Sequence, residues 1–177
     1  MKILSQAEAQ DIVLAEPKKW NVASIVSADG AYYKRTGKII PLDKPNFKKA
    51  KTFKQVHFDD IQKEIDYLVL CNKWHIEVLL DYAKKHYDEP LIVHCHAGIS
   101  RSSAITFLIL LDRLKETSEN PVEDALTLLI GVKNWNLIFP NKYIIGLGMH
   151  ILAKDAGQEI EWNRIFYNSR IISKLYA

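Results

Sequence analysis

Nine consecutive residues, His94-Cys95-His96-Ala97-Gly98-Ile99-Ser100-Arg101-Ser102, have the types and spacing for nucleophilic chemistry on an anion. They lie between a short apolar run, Leu91-Ile92-Val93, and a longer stretch of helical pattern from Ser102 to about Lys115. A chain that leaves a strand and turns tightly into a helix has several N–H groups without intrahelical partners. If the loop curls, these groups converge on one point at the positive end of the helix dipole and make an anion nest. Gly98 supplies a backbone position with no Cβ penalty. Arg101 opens the helix and can close the ring with a bidentate guanidinium, suited to two oxygens of a phosphate. Cys95 stands at the other end of the ring. The field that attracts phosphate also favours a thiolate, and a cysteine so placed can fall in pKa from about 8.5 to between about 3.5 and 7.5. The pattern fits attack of a thiolate on a phosphoryl group.

Blander readings exist for the same residues. A cysteine ending a buried strand often serves as an inert small hydrophobe. His94 and His96 flanking Cys95 are zinc-type donors, but structural zinc takes four spaced ligands, and the sequence has no second cluster.

The segment HCHAGISRS resembles the Cys-x5-Arg signature of the cysteine-dependent protein tyrosine phosphatases. Within that superfamily it is most similar to the dual-specificity branch, whose loops often read HCxAGxSRS. The resemblance implies a phosphocysteine intermediate on Cys95. Phosphate would be held by the amides of His96, Ala97, Gly98, Ile99, Ser100 and Arg101 and by the Arg101 side chain. It implies that Ser102 assists breakdown of the intermediate, and that His94 orders the loop and supports a low thiol pKa. No metal or organic cofactor is implied. The expected fold is α/β, a central mainly parallel sheet of four or five strands flanked by helices.

A phosphate monoester also needs its leaving oxygen protonated, which typically contributes about 10²–10⁴-fold. The family places an aspartate after a strand some thirty-odd residues before the cysteine. Asp59 and Asp60 lie 36 and 35 residues before Cys95, after the strand-like Lys54–Phe58. Asp60 is the preferred acid because an acidic residue directly before Ile resembles the family's strand end. Asp59 remains the alternative, and an Asp pair can also cap a helix. Asp66, 29 residues before Cys95, is too far along. Asn141, in Phe139-Pro140-Asn141, is expected either to buttress the phosphate loop, as a Pro-Asn does in dual-specificity phosphatases, or simply to cap a helix.

The elements that must position these groups are legible in outline. Met1–Leu4 reads as a short strand, and Ser5-Gln-Ala-Glu8 has capping-box spacing for a helix to about Leu14, ended by Pro17. Asn21–Ser27 reads as a buried strand and Asp29-Gly30 as a turn. Residues 31–52, with Gly37, Pro41 and Pro45, read as irregular. A helical pattern runs from about Asn72 to His86, stopped by Pro90. Further helices are expected from Asn120-Pro121, from Pro140-Asn141 to about Ala153, and, beyond Gly157, over Glu159–Leu175. Strands alternating with helices indicate an α/β fold. The opening Met1–Ser27 is also similar to the strand–helix–strand start of a small bacterial or phage group of tyrosine phosphatases. The chain is expected to be one domain over 1–177, with 157–177 a C-terminal helical extension.

Composition is consistent with this. The chain has 177 residues, 48% hydrophobic and 25% charged, with net charge +3. That is globular and only mildly basic, so a nucleic-acid partner is not expected. Two cysteines, Cys71 and Cys95, make no disulfide framework and suit a reducing compartment. Cys71 is expected on a helix, buried and inert, although a redox partnership with Cys95 stays open. The N-terminus lacks an apolar signal core, and no run approaches the ~20 residues of a membrane span, so a cytoplasmic location is expected. Residues 34–54 hold eight basic residues against Asp43 alone, either a solvated loop or a surface that steers an acidic partner. Trp20, Trp74, Trp135 and Trp162 are expected to serve packing.

The partner expected is a phosphorylated protein or an aryl phosphate. Phosphoinositide phosphatases of this superfamily tend to carry lysines at the variable loop positions, where this chain has Ala97 and Ile99, and only His96 can add charge. RNA-directed relatives tend to differ around the Gly. Competing readings are a phosphate-binding pseudophosphatase module with little turnover, and a sulfur-transfer or arsenate-reducing enzyme. Rhodanese-type loops usually lack the Ser-Arg-Ser ending, and a reductase would have only Cys71 as a resolving thiol.

Overall fold

The computed structural model describes residues 1–28, 31–33, 39–41, 45–66, 68–133, 137–170 and 172–173. Among the described residues, strands and helices follow in the order β1 (Lys2–Ser5), α1 (Gln6–Ala15), β2 (Asn21–Val26), β3 (Ala31–Tyr33), β4 (Ile39–Pro41), β5 (Thr52–His57), α2 (Lys73–Lys84), β6 (Leu91–Cys95), α3 (Arg101–Leu114), α4 (Pro121–Val132), α5 (Lys142–Leu152) and α6 (Ala156–Asn168). The central sheet is four-stranded and parallel, in the order β1-β6-β2-β5. This is the expected α/β architecture. Among the described residues no helix is long and apolar enough to cross a membrane.

Local signals explain where several elements begin. Ser5 ends β1 and caps α1: its hydroxyl accepts from the Glu8 N–H, and the Glu8 carboxylate accepts from the Ser5 N–H at 2.7 Å. Asn72 caps α2 in the same reciprocal way, with His75 in the place usually taken by Glu or Gln. Pro121 opens α4, where its missing N–H costs nothing, with Glu123 and Asp124 in the first turn. Asp155 caps α6, so Gly157 lies inside that helix rather than before it. Cys71 precedes the α2 cap instead of lying on the helix; it is buried, and burial pushes its thiol up to about 12.

Side chains alternate across each strand, and both faces of the sheet are covered. On one face Ala23, Ile25, Val56, Leu91 and Val93 join α2 to α6 in the main core. Its centre is α3, buried continuously from Arg101 to Leu111. Gly148 of α5 packs against α3 so closely that a Cβ would stand 2.1 Å from Leu108 Cδ1. Trp162 and Phe166 of α6 belong to this core, and Phe166 meets Phe107 edge-on at 5.0 Å. On the other face Val22 and Ile92 pack against Ala9, Val13, Trp20, Phe47 and Ala50.

Two further expectations need correction. The stretch read as irregular contains β3 and β4, a separate antiparallel pair with Ala31 opposite Pro41 and Tyr33 opposite Ile39. Strands of three residues are too short to show a period, and Pro41 ends one of them, which masks the signal. Trp74 is exposed rather than packed in the core, whereas Trp20 and Trp162 are buried. The Asp29-Gly30 turn, Trp135, Gly37 and the basic-segment residues Lys34, Arg35, Lys38, Asp43 and Lys44 lie outside the described residues.

Candidate active site

Parallel strands bring their carboxyl ends to one edge, and the register places Ser5 opposite Cys95 and Ser24 opposite His94. Beyond that edge lies a cavity of about 360 Å³. The loop from Cys95 to Arg101 forms its base, Ser27 and the pair Asp59–Asp60 stand beside it, and Ile61, Ile65 and Leu68 make an apolar wall. Cys95, Arg101, Asp59 and Asp60 all line this one cavity, and Asp66 does not.

The loop is held from outside by its carbonyls. The His96 carbonyl accepts from the Gln6 N–H at 3.1 Å, and the Ile99 carbonyl from the Phe139 N–H at 3.0 Å. The Ser100 carbonyl accepts from Ala104 at 3.0 Å and Asn141 at 3.4 Å, and the Gly98 carbonyl from Lys133 Nζ at 2.7 Å. A trans peptide is planar, so each C=O opposes the N–H of the next residue. With these carbonyls turned outward, the N–H groups of Ala97, Ile99, Ser100 and Arg101 turn to the concave side. Gly98 makes the bend at φ +70°, pressed on β1: a Cβ there would lie 2.4 Å from Leu4 C and from Ser5 N.

Cys95 ends β6 on the α3 face, its Sγ 3.2 Å from Ser102 Oγ. Arg101 is buried; its Nη1 donates to the Phe58 carbonyl at 2.6 Å, and its Nε is buried with no hydrogen-bond partner among the described residues. A charged donor so placed beside the cavity suits an oxyanion there.

The two aspartates are treated differently. Asp59 is buried and closes the 59–69 loop: its N–H donates to the Val69 carbonyl at 2.8 Å, and its Oδ2 accepts from the Val69 N–H at 2.9 Å. Asp60 is exposed, with Oδ1 accepting from Ser100 Oγ and from Asn141 Nδ2, both at 2.8 Å. Asn141 makes contacts in two directions. Its Oδ1 caps α5 by accepting from the Ile144 N–H, while Nδ2 reaches Asp60 and the main-chain N–H reaches the Ser100 carbonyl.

His94 occupies the opposite face from Cys95. Its ring is fully buried and 4.9 Å from that of Phe47. Neither ring nitrogen has a hydrogen-bond partner among the described residues. Burial first, and then the Arg101 charge, lower its pKa to about 4, against an opposing pull from the Cys95 main chain that falls short of hydrogen-bond geometry. The imidazole is therefore neutral at pH 7 and gives the sulfur no positive charge. A pH effect on stability follows. The folded pKa lies below the unfolded 6.5, so the unfolded chain binds the extra proton between pH 6.5 and 4. Stability is full above that window and falls as the pH drops through it, by about 2–3 kcal/mol between pH 7 and 4.5. Urea unfolding at the two pH values checks this: His94→Asn should flatten the dependence by that amount, and an unchanged slope would refute it.

The sequence did not indicate the apolar wall, the Phe58 carbonyl or Lys133. None carries a motif, and each reaches the site only through folding.

No protein-family model and no curated protein matches the chain. Solved structures do. DUSP15 is similar at a TM-score of 0.55 and 17% identity, covering 96% of this chain and 97% of that one. A mouse putative dual-specificity phosphatase complexed with zinc tungstate gives 0.53 and 13%, covering 94% and 84%. The human tyrosine phosphatase-like serine/threonine/tyrosine-interacting protein gives 0.50 and 17%, covering 88% and 83%.

Proposed function

We propose that this chain, which has the fold of the dual-specificity phosphatases, hydrolyses phosphate monoesters of proteins, phosphotyrosine foremost and phosphoserine or phosphothreonine with it. The observation that carries the reading is the convergence of Cys95, Arg101 and Asp60 on one cavity whose loop is anchored from outside through the carbonyls of His96, Gly98, Ile99 and Ser100.

In the first step the Cys95 thiolate attacks phosphorus and forms an S–P bond as the ester P–O bond breaks. Asp60 gives its proton to the departing oxygen. Both of its hydrogen bonds fall on Oδ1, so that proton rides on Oδ2. In the second step water attacks phosphorus, Asp60 takes a proton from it, and the S–P bond breaks. Ser102 Oγ, 3.2 Å from the sulfur, donates to the thiolate as it leaves. The inward amides and Arg101 stabilise charge on the equatorial oxygens throughout, and donors placed in advance need no reorganisation. The apolar wall of Ile61, Ile65 and Leu68 favours an aryl group above the phosphate.

Turnover of para-nitrophenyl phosphate tests the reading. Activity should survive EDTA and be blocked by vanadate. Asp60→Ala should lower kcat by about 10²–10⁴-fold while tungstate still binds. A larger loss in Asp59→Ala, with its fold intact, would move the acid to Asp59. Tungstate binding without turnover in the unmodified protein would mark a phosphate-binding module instead.

A further inference from the structure

Three of the four outward carbonyls of the phosphate loop are held by main-chain amides. The fourth, that of Gly98, is held by a side chain with a full charge. Lys133 follows α4, its N–H still bonded to the Leu129 carbonyl at 3.2 Å, and its stem crosses to the loop to place Nζ 2.7 Å from the Gly98 oxygen. This contact joins residues 35 positions apart and is partly buried.

The peptide it grips is the one the loop is least able to fix by itself. Gly98 has the left-handed backbone and the widest conformational freedom in the loop. Turning the Gly98–Ile99 peptide over would swing the Ile99 N–H out of the cavity and put a carbonyl oxygen in its place, facing the anion. An ammonium on the carbonyl opposes that turn. It also polarises the peptide, making the Ile99 N–H a better donor on the far side. Lys133 reaches toward the start of α1 as well: it adds a small favourable charge to Glu8, whose carboxyl is held below its usual range first by the Ser5 N–H and then by the Ser5 hydroxyl. The same Ser5 is paired with Cys95 in the sheet.

We infer that Lys133 is a positioning residue for the phosphate loop, clamping the Gly98 carbonyl so that the Ile99 N–H faces the bound oxyanion. The inference rests on the phosphate-loop reading above, and the two can fail separately. Tungstate binding to the full chain, followed by calorimetry, is the readout because it needs no turnover. Lys133→Met should weaken tungstate about tenfold, as expected for loss of one charge-assisted hydrogen bond. Lys133→Arg, which keeps charge and reach, should restore affinity to within about threefold of the original, an expectation resting on the same charged contact. A merely structural lysine would change the melting temperature and leave tungstate affinity alone. Lys133→Gln, neutral and shorter, carries the same expectation as the Met variant and stands in for it should that variant not fold. If the unmodified protein binds no tungstate, the phosphate-loop reading fails. If it binds and the Met or Gln variant binds equally well, or if Arg fails to rescue, the assignment of Lys133 is overturned.

Discussion

Cys95→Ser should abolish turnover of para-nitrophenyl phosphate, by about 10⁴-fold or more, while tungstate still binds. The physical reason is the difference between sulfur and oxygen at one position. A serine hydroxyl is a far weaker acid and a poorer nucleophile than a thiol, so the substituted chain has no comparable anion to attack phosphorus. If it did attack, the alkoxide would be a poor leaving group in the second step. The proposed anion site is otherwise kept, because the donors assigned to it are main-chain amides and the Arg101 guanidinium, and the outer anchors of the loop do not involve Sγ. The substitution is also small, and Cys95 Sγ has Ser102 Oγ as a neighbour, so a hydroxyl there finds a hydrogen-bond partner. Turnover and tungstate affinity measured on one preparation are enough. Residual activity within tenfold of the original would place the nucleophile elsewhere.

The second large effect is expected at Gly98. Its φ of +70° is strained for any residue with a side chain, at about 1–2 kcal/mol. A Cβ would in addition stand 2.4 Å from Leu4 C and Ser5 N and 2.6 Å from the Leu4 oxygen. These are main-chain atoms at the junction of β1 and α1, held by the sheet on one side and the capping box on the other, and they have little freedom to yield. In Gly98→Ala the loop itself must move, and the contacts that hold it on either side, Gln6 with His96 and Lys133 with Gly98, must lengthen. A misplacement of about 1 Å can cost about 10²-fold in rate. Both kcat/KM and tungstate affinity should fall about 10²-fold or more in Gly98→Ala. An alanine variant with unaltered kinetics would show that the loop does not press on β1 as described. Gly148→Ala is the useful comparison, because there the added carbon meets the Leu108 side chain in the core, away from the loop, so it should lower stability and not act on the loop directly.

How much of this was legible differs from residue to residue. The Ser5–Glu8 capping box was visible because its four residues are contiguous and its chemistry follows a rule. The matching box at Asn72–His75 was not, since histidine seldom fills that place. Strands β2 and β6 stood out as apolar runs, whereas β3 and β4 were too short to have a period. Trp74 is a warning about composition: an aromatic residue on a helical pattern was expected to pack, yet it faces outward at the start of α2.

The order of residues was enough to mark the proposed reactive loop: a thiol, a bend that needs glycine and a guanidinium within seven residues, where bond lengths and local hydrogen bonds leave few alternatives. Tertiary structure alone decided the rest. It separated Asp60, tied to Ser100 and to Asn141 across 40 and 81 positions, from Asp59, which fastens its own loop. It set Lys133 behind Gly98 and left His94 uncharged in an apolar layer. Those outcomes depend on distance through space and on removal from water, and neither quantity is written in the order of residues along a chain.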